Sequence, residues 1–279
     1  MMKITKLELY IILAAFSLAL LVIGIFWVFN RGETPSYSLK QPSPPNTVSM
    51  DSTTDSIVSD AEAAAPDPLI VAQNTITQQG LAKLIEPTTV KALVFGDAVA
   101  GGQVASNANE LSWHALISKK LEDKYPGNLQ WQFKTTPEAT IQDVLTYVPE
   151  VAPNTDLIIL CLGRNDWTIH TTHDFQEKYE QLIIDLKAQS PQGDLFLIAE
   201  PPVKSIDRNN KSFPYRQIIL GLGQKHQLPV IDEWSAFISD PTPLNGLLAD
   251  GVNPSDKGYE VFAEAVLKEF EEKLVKAPR

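Results

Sequence analysis

Few residues in this chain combine reactive chemistry with a placement that could use it. Asn165 stands in Gly163-Arg164-Asn165-Asp166-Trp167, directly after an apolar run. On a strand-to-helix loop its amide can aim an N–H at a developing oxyanion; the alternative is an ordinary Gly/Asn/Asp turn. Asp250 and Asn253 stand in Asp250-Gly251-Val252-Asn253-Pro254. The proline pushes Asn253 out of the helical region, onto a loop ahead of the last helix. His170 and His173 follow the Asn165 loop and could supply a base or a pair of metal ligands, although no further ligand set assembles around them in sequence. A second turn, Gly96-Asp97-Ala98, closes the apolar run Leu93-Val94-Phe95. Such a turn presents one side chain at the C-terminal edge of a sheet, where open α/β folds keep their ligands. That side chain is the methyl group of Ala98, which has no proton to give and no lone pair to attack with.

Other polar residues are weaker candidates. Glu200 ends an apolar run before Pro201-Pro202 and could line a cleft or stand in solvent. Trp167 could offer a stacking face or pack down. Asp166 and Asp97 flank the candidate positions. Ser106 reads as a loop residue, and His114 and His226 as structural residues of helices. Gly221-Leu222-Gly223 follows no strand and is not a phosphate loop. The single cysteine, Cys161, lies in an apolar run and reads as a buried thiol; alone it forms no internal disulfide and no Cys-rich metal site.

The elements that would position these residues alternate. Apolar runs at 90–95, 129–133, 157–162, 195–199 and 230–231 read as strands. Helical periodicity is expected over 109–124, 140–148, 174–189, 215–226 and 255–276, with Ser255 as N-cap of the last helix. Near-continuous apolar strands separated by helices argue a parallel sheet covered on both faces.

The N-terminal third differs. Residues 9–29 carry no charge and would span roughly 30 Å as a helix, about the thickness of a bilayer core. They are expected to form an uncleaved transmembrane signal anchor within 1–30, with the remainder outside the cytoplasm at the cell surface. Residues 31–87 mix proline with Ser, Thr and Asp and are expected to form a flexible stalk, with a short helix near 75–85. The folded domain is expected at 88–279. A formal net charge of −11 leaves no basic surface for phosphates, so nucleic acid is not expected as a partner.

Taken together, Gly96-Asp97-x, Gly163-x-Asn165-Asp166 and Asp250-x-x-x-Pro254 resemble, in order and spacing, the sequence blocks of SGNH/GDSL hydrolases. The tail DGVNPSDKGYEVFAEA is especially similar to that family's last block. The resemblance covers about 90–274. It implies a three-layer α/β/α fold, flavodoxin-like, with a five-stranded parallel sheet, and ester hydrolysis (esterase, acetylesterase, lipase) without cofactor or metal. Residue by residue, it puts the nucleophilic serine at Ala98, oxyanion donors at Ala139 and Asn165, the orienting acid at Asp250 and the histidine base at Asn253. Both reacting groups are therefore expected to be lost. The expected role is a pseudoenzyme that binds an acyl ester or glycan of the cell envelope, or a protein partner. A hydrolase with a displaced nucleophile or base, drawing on His170 or His173, is the alternative.

Overall fold

The structure, a computed structural model, describes residues 79–276. The expected anchor and almost all of the expected stalk lie outside the described residues. Among the described residues, no helix is long and apolar enough to cross a membrane.

In chain order the elements are β1 (Thr89–Gly96), α1 (Trp113–Glu122), β2 (Asn128–Thr135), α2 (Ile141–Leu145), β3 (Leu157–Leu162), α3 (Thr172–Gln189), β4 (Asp194–Ala199), α4 (Ile206–His226), β5 (Val230–Asp232), α5 (Glu233–Ser239) and α6 (Asp256–Val275). The strands form one sheet in the order β2-β1-β3-β4-β5, every pair parallel. This is the expected α/β fold.

Strand periodicity divides the core in two. Val90, Ala92, Val94, Leu157, Ile159, Cys161, Phe196 and Ile198 face one layer, where they meet Trp113 and Ile117 of α1 and Phe262, Val266 and Phe270 of α6. Leu93, Phe95, Ile158, Leu160, Leu195 and Leu197 face the other, against α2, α3 and α4. Since successive strand residues point to opposite faces, a strand apolar at every position must be covered on both. β3 is buried at all six positions. Each strand then delivers the residues just after it to the same C-terminal edge, so Asp97, Arg164 and Glu200, following β1, β3 and β4, become neighbours.

Several elements depart from the periodicity. The expected helix at 109–124 breaks at Ser112, whose hydroxyl accepts from the Ala115 N–H and restarts the chain as α1. The helix expected at 215–226 begins at Ile206 and runs through Pro214. Proline weighs against a helix interior because it lacks an N–H, yet here the flanking packing carries α4 across it. The 3-10 turn Gly80–Ile85 buries Leu81 and Leu84 completely, so the packed chain starts by Gly80, ahead of the expected 88.

Candidate active site

The first turn is fixed by steric necessity. Gly96 has φ +155°, and a Cβ there would lie 2.2 Å from the Cys161 carbonyl oxygen. Asp97 follows, almost fully buried. Its Oδ1 accepts from the Val99 N–H at 2.8 Å; its Oδ2 accepts from Arg164 Nη2 and from Asn165 Nδ2, each at 3.0 Å. Ala98 is half-buried at the bend, and its N–H has no acceptor among the described hydrogen bonds. Downstream, the loop is tied to α6 by Ser106, which donates from its backbone N–H and its hydroxyl to Asp256 at 2.8 and 2.6 Å.

Gly163, φ +116°, turns the chain out of β3; a Cβ there would meet Ile219 Cδ1 at 2.7 Å. Asn165 is buried, and its amide also reaches the Ala139 carbonyl at 3.4 Å, a longer and weaker contact than that to Asp97. Ala139 is buried as well, with its N–H donating to Thr136 O at 3.1 Å. Glu138, just before it, adopts φ +57°. Both expected oxyanion donors, Asn165 and Ala139, thus have partners within the protein.

Asp166 has no exposed surface. Its Oδ1 accepts from the Ile141 N–H at 2.8 Å at the start of α2, and its Oδ2 is buried with no hydrogen-bond partner. Burial is the main reason that its carboxyl is pushed up to about 6.

Asp250 is exposed on the loop before α6. Its Oδ1 accepts from the Val252 and Asn253 N–H groups at 2.9 and 2.8 Å, and its Oδ2 from Asn253 Nδ2 at 2.9 Å. Hydrogen bonding, that from the Asn253 backbone first, holds its carboxyl below the usual range. The side-chain bond orients residue 253 through an acceptor-only carboxylate, as an acid orients an imidazole in a triad.

Arg164 was not singled out by the sequence. Its guanidinium is buried and donates from Nη2 to Asp97 and from Nη1 to the Val252 carbonyl at 2.7 Å, with Nε 3.7 Å from Glu200 Oε1. Glu200 Oε2 accepts from the Arg164 backbone N–H at 2.8 Å. One cation therefore joins the turn after β1, the end of β4 and the loop before α6. Glu200, expected to line a cleft or stand in solvent, is 5 % exposed beneath the site. Burial, with the nearby Asp97 carboxylate, pushes its carboxyl well above the ordinary range. An arginine at the end of a central strand, flanked by acids ending the two adjacent strands, is the signal that could have found this cluster.

The remaining candidates sit further out. His170 is bonded through Nδ1 to Asp174, and its side chain is 7 % exposed, with Nε2 unpartnered. The His173 side chain is 82 % exposed and faces Glu177 on α3, so the two histidines do not converge. Among the described residues no His, Cys, Asp and Glu cluster could hold a metal ion. Trp167 is half-buried with Lys211 Nζ 4.7 Å from its ring centre, so that face is already covered. Cys161 is buried, and burial pushes its thiol up. A cavity of about 840 Å³ opens elsewhere, against β5, α5 and α6; Ala98, Asn165 and Asn253 do not line it.

A five-stranded parallel sheet between helical layers, with Gly-Asp-x, Gly-x-Asn-Asp and Asp-x-x-x-Pro blocks gathered at its C-terminal edge, defines the SGNH-type hydrolase fold. The profile of the GDSL-like Lipase/Acylhydrolase family matches residues 94–261, and the chain belongs to that family. Solved structures agree on the fold. A lipase/acylhydrolase from Enterococcus faecalis is 22% identical, with a TM-score of 0.57 over 68% of this chain and 99% of its own. An acetylxylan esterase from Geobacillus stearothermophilus is 17% identical, with a TM-score of 0.54 over 64% and 93%. A two-domain esterase active on acetylated mannans is 14% identical, with a TM-score of 0.57 over 68% and 50%. No curated protein matches the chain.

Proposed function

We propose that this protein is a disarmed member of its family, a pseudoenzyme that binds an acyl-ester or glycan ligand of the cell envelope in the former catalytic site. The carrying observation is the pair Ala98 and Asn253, at the expected nucleophile and base positions, inside a retained frame of Asp97, Asn165 and Asp250. A methyl group cannot form an acyl-enzyme, and a neutral amide cannot take up a proton near pH 7. What such a site keeps is recognition together with the modest catalysis of its remaining donors. The acetyl-ester neighbours support the ligand class by analogy of fold. The uncharged stretch 9–29 supports a single membrane anchor, with the domain held outside the cytoplasm by residues 31–87.

The second reading, an ester hydrolase with a displaced base, draws on the His170–Asp174 pair. One assay separates the two. Ester turnover is measured for the protein as it stands, for Ala98→Ser/Asn253→His, and for His170→Ala. Silence in the unmodified protein with gain in the double variant is the expected result. Turnover in the unmodified protein that is lost in His170→Ala overturns the pseudoenzyme reading.

A further inference from the structure

The hydrogen-bond inventory of this site selects among the ligands that the pseudoenzyme reading allows. We infer that the site recognises a free hydroxyl of a neutral, polyhydroxylated ligand, a deacylated glycan, in preference to the carbonyl of its ester.

The inference rests on the ligand-binding reading above and deepens it. Asp250 is held ionised and can only accept hydrogen bonds. Its contact with Asn253 must therefore use the amide NH2, which settles the orientation of that side chain: Nδ2 is committed to Asp250 at 2.9 Å and Oδ1 remains as an acceptor. Where a hydrolase has a base that takes up a proton, this site has a fixed acceptor that never does. Its natural complement is a hydroxyl donor.

The donor side is correspondingly reduced. An ester carbonyl developing negative charge needs converging N–H groups. Here Asn165 donates to Asp97 at 3.0 Å and leans on Ala139 O, and the Ala139 N–H is bonded to Thr136 O. The Ala98 N–H is the one without an acceptor among the described hydrogen bonds. One donor and one acceptor match a hydroxyl, which both gives and accepts; they match an ester poorly, since it can only accept.

Charge points the same way. The buried Arg164 is shared between Asp97, Glu200 and the Val252 carbonyl, so its charge is not available to a phosphate or carboxylate. On the rim, the Lys204 side chain packs beside Gly251, next in sequence to Asp250.

The test is calorimetric titration of the full-length protein with xylotetraose and chitotetraose, each plain and O-acetylated. The plain form of at least one sugar is expected to bind more tightly than its acetylated form. Asn253→Ala is expected to weaken the plain form about tenfold, the size of one hydrogen bond, while the backbone N–H bonds from Val252 and residue 253 to Asp250 hold the loop in place. Asn253→His is expected to retain binding, because a neutral imidazole gives Nδ1–H to Asp250 and offers Nε2 as acceptor. Tighter binding of the acetylated form, or indifference to Asn253→Ala, overturns the inference while leaving the ligand-binding reading in place. No binding of either sugar in either form overturns both.

Discussion

Asp166 sets a pH dependence whose size follows from its surroundings. Its carboxyl is fully buried, has one hydrogen bond to the Ile141 N–H, and is pushed up from 3.8 to about 6. Between those values the folded state binds more protons than the unfolded chain, so stability must fall as pH rises. The contribution of this residue is complete below about pH 4, is lost on the way to pH 6, and stays lost above it. At about 1.4 kcal/mol per unit, the two-unit displacement corresponds to ~3 kcal/mol. Asn at this position keeps an acceptor for Ile141 and does not titrate. Urea unfolding of wild type and Asp166→Asn at pH 4 and pH 7 therefore has a defined outcome: the stability difference between them shifts by ~3 kcal/mol, in favour of Asn at pH 7. With a urea slope of about 2 kcal/mol/M, that is about 1.5 M in midpoint. Any constant penalty for burying the Asn NH2 cancels in the comparison between pH values. Glu233, whose carboxyl burial also pushes up, tilts both proteins alike. Repeating the pair in a His170→Asn background removes the neighbouring imidazole. Parallel pH curves for the two proteins would refute the assignment of a buried, ionisation-resisting carboxyl.

Other substitutions test the frame. Arg164→Met strands the Asp97 and Glu200 carboxyls and the Val252 carbonyl in the interior; unfolding experiments should show a loss of about 3–5 kcal/mol, and a loss below 1 kcal/mol would mean that the guanidinium does not bridge them. Gln227, which ends α4 with φ +55°, should stabilise the protein by about 1 kcal/mol when replaced by Gly, read as a raised urea midpoint. Esterase gain in Ala98→Ser/Asn253→His is expected to depend on Arg164, since its Nη1 holds the loop that carries residue 253; full activity in the triple variant with Arg164→Met would deny that clamp.

Much of this architecture was legible in the chain. Continuous apolar runs such as Leu157–Leu162 can satisfy both their periodicity and their backbone hydrogen bonds only inside a covered parallel sheet, so the sequence by itself determined the fold class. It also determined the chemistry at each position, because that is a property of residue type: Ala98 cannot attack and Asn253 cannot act as a base, whereas the orienting role of Asp250 is what the family resemblance implied. Tertiary structure decided the partners of the polar residues. Arg164 meets Asp97 across 67 positions and the Val252 carbonyl across 88, and nothing local marks a guanidinium as buried. The same holds for Glu200, which could equally have stood in solvent, and for His173, turned outward on α3 while His170 turns in. Packing likewise carried α4 through Pro214 and drew Leu81 and Leu84 into the core, since contacts with distant elements outweigh local preference there. Periodicity and residue chemistry are short-range and survive in one dimension. Which charges share a dry interior depends on which strand ends the sheet places side by side, and that order, β2-β1-β3-β4-β5, exists only in the folded molecule.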